Sequence, residues 1–107
     1  MSDVTLISHR GNLDGLNSER ENSPDYIDEA ISKGYDVEID AWYHPVNTDY
    51  IWLGHDEAEY LVPIEWLLDR KDNLWVHCKN FKALTQLVDT ELRIFYHEKE
   101  QYTILNN

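Results

Sequence analysis

Glu38 and Asp40 stand two apart within 35–43, where Val37, Ile39 and Ala41 alternate with Glu38, Asp40 and Trp42. Such alternation reads as a β-strand, with both carboxylates on one face and their α-carbons about 6.5–7 Å apart. Two carboxylates this close cannot both stay ionised away from water without a cation or strong hydrogen bonds. Oxygen ligands of this kind suit Mg²⁺ or Ca²⁺. The plainer reading is an edge strand whose carboxylates face water. His9 and His55 offer proton transfer near neutral pH, one as base and the other as acid. Against that stands the common histidine that merely packs or is solvated. Arg10 and Lys79 can hold an anionic oxygen, Arg10 as a bidentate fork and Lys79 as a point charge, or can pair with nearby carboxylates. Gly11 permits a sharp turn, or is an ordinary loop glycine. His44 beside Pro45 reads as a solvated loop residue, and Cys78 as a buried, inert thiol.

Elements must bring these groups together. Residues 4–8 (Val-Thr-Leu-Ile-Ser) read as a buried strand, and polar 12–21 as a loop. Ser23-Pro24 signals a helix start, Tyr26, Ile27, Ala30 and Ile31 share one helical face, and Gly34 suits the C-terminal cap. After the strand at 35–43 come a turn-rich loop at 44–50, a short extension at 51–53 and a short helix at 63–69. A third strand spans 74–78. A helix capped by Asn80 then carries a stripe of Phe81, Leu84, Leu87 and Val88. A fourth strand spans 92–96, with no assignment for the tail to Asn107.

Strand–helix alternation with these crossovers implies a parallel sheet with helices outside, and four strands are half of an eight-stranded β/α barrel. The expected class is therefore α/β, parallel β/α units forming about half of a TIM-type barrel. In such folds the chemistry sits where strands end. Those positions hold His9-Arg10-Gly11, Glu38-x-Asp40, His77-Cys78-Lys79-Asn80 and His97-Glu98, with His55-Asp56 on the extension after the second strand.

The 107 residues bound the reading to one domain, 1–107. No run approaches the ~20 apolar residues that span a bilayer, and the start carries no signal-peptide pattern. One cysteine allows no internal disulfide. With 9 basic and 21 acidic residues the formal net charge is −12, which opposes nucleic-acid binding. Four Trp, seven Tyr and two Phe supply core material, so the acidity is not that of a disordered tail. An acidic, soluble, cytoplasmic domain with no stable membrane insertion is expected.

Five landmarks in order resemble the glycerophosphodiester phosphodiesterase family: Ile7-Ser8-His9-Arg10-Gly11, Glu21-Asn22-Ser23, Ala30 to Gly34, Val37-Glu38-Ile39-Asp40 and Gly54-His55-Asp56. They cover residues 4–56, and Lys79 extends the match weakly. The resemblance implies a β/α barrel with a divalent cation, Mg²⁺ or Ca²⁺, on Glu38 and Asp40. It makes His9 and His55 the acid–base pair acting on a small-molecule phosphodiester, and Arg10 and Lys79 phosphate contacts. Glu21 becomes a mouth residue holding Arg10 or the glycerol hydroxyls. The implied reaction releases glycerol phosphate and an alcohol.

Three features depart from the family. Where it carries a further carboxylate ligand, two residues before the third-strand lysine, this chain has His77; histidine can bind a divalent metal but suits Mg²⁺ or Ca²⁺ less well. The stretch 42–53 is irregular and aromatic. The family barrel also needs about 250 residues. A half barrel leaves an open edge, so a homo-oligomer, a second chain completing the barrel, or a fragment is expected. Two other readings follow: a related phospholipase-like phosphodiesterase, or a catalytically dead half barrel binding a phosphorylated ligand or partner.

Overall fold

The computed structural model describes residues 6–15, 17, 19–98 and 102–105. Among these described residues, seven strands and three helices follow one another as β1 (Ile7–His9), α1 (Pro24–Ser32), β2 (Asp36–Trp42), β3 (Tyr50–Leu53), β4 (Tyr60–Pro63), α2 (Ile64–Leu68), β5 (Leu74–Cys78), α3 (Phe81–Leu87), β6 (Arg93–Glu98) and β7 (Tyr102–Leu105). A 3-10 turn at Lys71–Asn73 leads into β5. The class is α/β with one mixed sheet, ordered β4-β3-β2-β5-β6-β7, with β1 also paired to β2.

The parallel part is β1-β2-β5-β6, neighbours in the order in which the chain makes them. Two antiparallel additions correct the purely parallel expectation. The extension at 51–53 is one arm of a β3–β4 hairpin, joined to β2 through Ala41–Leu53 and Trp42–Trp52. β7 folds back on β6, whose backbone runs on through His97 and Glu98 rather than stopping before them. The first strand is described from Ile7, so Val4 and Thr5 lie outside the described residues.

Alternation sorts the sheet into two faces. Val37, Ile39 and Ala41 on β2, and Leu74, Val76 and Cys78 on β5, are fully buried. They share one core with Ile27 and Ala30 of α1, Leu67 of α2 and Ala83, Leu84 and Leu87 of α3. All three helices therefore lie on the same face. The opposite parity carries His9, Glu38, Asp40, Trp42, Trp75, His77 and Phe95, and no helix among the described residues covers it.

Local signals explain the helix starts. The Ser23 side chain accepts from the Tyr26 N–H, with Pro24 at the first helical position, and Asn80 accepts from the Ala83 N–H. Gly34 follows α1 at φ +90°, the left-handed conformation that suits glycine. The α3 stripe differs from expectation: Phe81 and Val88 are exposed, and Ala83 takes their place in the core. At 3.6 residues per turn, Val88 and Phe81 lie about 100–120° round the helix from Leu87, the centre of the buried face. Phe81 instead meets Tyr96 edge-on, with ring centroids 5.7 Å apart. No helix among the described residues is long and apolar enough to cross a membrane.

One turn ties the hairpin to the sheet. The Gly54 N–H donates to the Asp40 carbonyl at 3.1 Å, and the Trp42 indole N–H donates to the Gly54 carbonyl at 2.7 Å. A Cβ at Gly54 would run into the carbonyl oxygen of Glu57. Gly54→Ala should accordingly cost about 2–3 kcal/mol, the upper range for overpacking, read as a lowered urea midpoint at unchanged slope.

Candidate functional site

Asp40 is the centre of the polar face. Its side chain is 1% exposed, yet four residues from four other segments converge on it. Oδ2 accepts from Arg10 Nε at 3.1 Å and Asn22 Nδ2 at 3.0 Å. Oδ1 lies 3.0 Å from His77 Nδ1. His55 Nδ1 stands 3.6 Å from Oδ2, just beyond hydrogen-bond range, and is a buried ring nitrogen without a hydrogen-bond partner among the described residues. Burial alone would raise the Asp40 pKa. Hydrogen bonds from His77 and Asn22, with the charges of Lys79 and His77, outweigh it and hold the carboxyl below its ordinary value.

The sharp turn after β1 delivers Arg10. Arg10 itself has φ +60°, and Gly11 φ +89°. A Cβ at Gly11 would press to 3.0 Å from the Tyr26 ring, so the close approach of this turn to α1 needs glycine. The Arg10 N–H donates to the Glu38 carbonyl at 2.7 Å, and the Arg10 carbonyl accepts from the Asn22 N–H at 3.0 Å. Its guanidinium then bridges Asp40 and Glu21, whose Oε1 lies 3.4 Å from Nη1. Glu21 is itself held by Asn12 Nδ2 at 2.7 Å.

The other expected residues fall around this hub. His9 Nε2 lies 3.8 Å from Glu38 Oε2, on the same face and one strand over from it. The two histidines thus flank the two carboxylates separately, His9 at Glu38 and His55 at Asp40. Lys79, just past β5, donates its N–H to the Ala41 carbonyl and acts on Asp40 through its charge. The His77 ring stacks on Phe95 at 5.0 Å and 2°. His44 is not simply solvated: its Nδ1 accepts from Val46 N–H and Asn47 N–H, and its ring stacks on Trp52. Cys78 is buried, and burial pushes its thiol up to about 12.

Along the chain Asn22 stands out only as part of Glu21-Asn22-Ser23. It is fully buried at φ +66°, and besides its amide bond to Asp40 it accepts from the Asp40 N–H through Oδ1 at 2.8 Å. An asparagine in a polar loop carries no sequence signal for such a clamp, which needs the loop to fold back onto β2.

A divalent cation on Glu38, Asp40 and His77 has to meet this arrangement. Both Asp40 oxygens already accept hydrogen bonds, and His77 turns Nδ1 to Asp40 itself. The fixed charge of Arg10 lies 3.1 Å from the same carboxylate. Among the described residues, no three His, Cys, Asp or Glu side chains form a group that could hold an ion. As arranged, these residues do not fit a divalent-metal ligand set.

Comparison of the chain with protein-family models, curated proteins and solved structures returns no match.

Because its folded pKa is depressed, ionised Asp40 contributes stability that is present above the unfolded value of about 3.9 and lost as pH falls through the folded value. Asp40→Asn should lower stability by about 2–3 kcal/mol at pH 7, the scale of hydrogen bonds to a charged group. Urea titrations of both proteins should show that gap closing below about pH 4; a gap independent of pH would show that the charge contributes nothing.

Proposed function

We propose that this chain is a phosphodiester hydrolase of the glycerophosphodiester type, acting by His9/His55 acid–base catalysis. The observation that supports it is the gathering of His9, Arg10, His55 and Lys79 around Glu38 and Asp40 at the C-terminal ends of parallel strands. In the reaction, one histidine takes the proton of the attacking hydroxyl and the other protonates the departing alcohol. Glu38 and Asp40 each sit beside one histidine, where a carboxylate orients the imidazole ring. Arg10 and Lys79 offset charge on the phosphoryl oxygens, Arg10 from a guanidinium already oriented by Asp40 and Glu21. Glu21 acts through Arg10. The attacking hydroxyl is either water, giving glycerol phosphate directly, or the neighbouring hydroxyl of the substrate, giving a cyclic phosphate; product analysis separates the two.

The consecutive order β1-β2-β5-β6 is that of neighbouring strands in a β/α barrel, and we read it as about half of one, with the polar face as the interior. Parallel sheets are normally covered on both faces. This supports association with a second copy or another chain, and sedimentation should report a mass above that of the 12.7 kDa monomer.

A panel of glycerophosphodiesters with different alcohols, assayed with Mg²⁺, with Ca²⁺ and with chelator, tests the reading. The expected result is alcohol release that His9→Ala and His55→Ala each lower by about 10²–10⁴-fold. Saturable substrate binding with no release under any condition would favour the binding-only half barrel instead, and the same release from lipid headgroups would favour the phospholipase-like variant.

A further inference from the structure

The carboxylate that the resemblance assigns to a divalent cation is, in the folded chain, the acceptor for three built-in donors, each held in place on its own account. Arg10 is fixed by backbone hydrogen bonds to Glu38 and Asn22 on either side of its left-handed turn, and Glu21 grips the far side of its guanidinium. Only 14% of its side chain is exposed. Asn22 is fully buried and holds both the side chain and the N–H of Asp40. His77 is braced by its stack on Phe95. None of the three is a surface side chain that swings aside when an ion arrives.

We infer that Asp40 is reserved for these donors, so that the site works without a divalent cation on Glu38 and Asp40, and that His77 is the residue that decides this. An imidazole at this position gives Asp40 a hydrogen bond through Nδ1. A carboxylate there would give a third hard oxygen donor beside Glu38 and Asp40, the kind of set Mg²⁺ and Ca²⁺ take. The statement about turnover rests on the phosphodiesterase reading above. The statement about the ion does not, because cation binding is measured without substrate.

The test is calorimetric titration of the full chain with MgCl₂ and separately with CaCl₂, with Tb³⁺ luminescence excited through Trp as a second readout. The wild-type chain should show no saturable binding tighter than about 10 mM, an order weaker than the loosest natural Ca²⁺ modules. His77→Glu should bind at least about tenfold more tightly than that limit, and Glu38→Gln in the same background should remove the gain. Saturable wild-type binding below that limit, lost in Glu38→Gln, overturns the inference. So does a folded His77→Glu protein, with native circular dichroism, that gains no affinity. Should His77→Glu not fold, His77→Asp makes the same comparison, and the wild-type titration decides the first clause by itself. Alcohol release that survives chelator supports the inference, and release abolished by chelator and restored by Mg²⁺ or Ca²⁺ overturns it. A chain that releases no alcohol at all but shows the expected titrations sinks the phosphodiesterase reading and leaves the assignment of Asp40 and His77 standing.

Discussion

A buried carboxylate must have its charge answered from within, and much of the site's geometry follows from meeting that requirement at Asp40. With 1% of its side chain exposed, Asp40 has almost no help from water. An isolated ionised carboxylate in such a place would neutralise itself instead. Here the carboxyl is instead held below its ordinary value, because donors from the β1 turn, the loop before α1 and the end of β5 all aim at it. Each donor comes from a different part of the chain, so the carboxylate also acts as a fastener between them.

Meeting that requirement costs backbone freedom. Arg10 and Asn22 both sit in the left-handed region, at about 1–3 kcal/mol each for residues other than glycine. Asparagine tolerates the region better than most, and arginine does not. The two strained residues are linked by their own hydrogen bond and each reaches Asp40, so the strain is offset by the contacts it makes possible. Glycine at 11 and 54 serves the same end, since a side chain at either position would collide with the neighbours of the turns that carry Arg10 and His55.

The division of the sheet into two unlike faces follows from β2 and β5. Their inward residues are wholly apolar and carry all three helices, while their outward residues are charged, aromatic or both. Two such strands side by side gather the ionisable and aromatic side chains on one face and the apolar core on the other.

The strands that bear the site were legible because period-2 alternation is strong in 37–42 and 74–78, and so were the caps at Ser23 and Asn80, whose chemistry is local. The β4 strand escaped because Leu61-Val62-Pro63 has no alternation of its own and becomes a strand only by pairing with β3. Candidate site residues could be named from residue type and strand parity, including the shared face of Glu38 and Asp40. The partners they choose could not. Whether Asp40 meets an ion or Arg10, Asn22 and His77 depends on distances between segments up to 37 residues apart, set by how the loops fold back onto β2. Which groups are present, and which face of each strand bears them, can be read along the chain, because alternation is a property of neighbours in sequence. Which charge answers which is settled by the folded arrangement, because burial removes water as the default partner and leaves that choice to geometry.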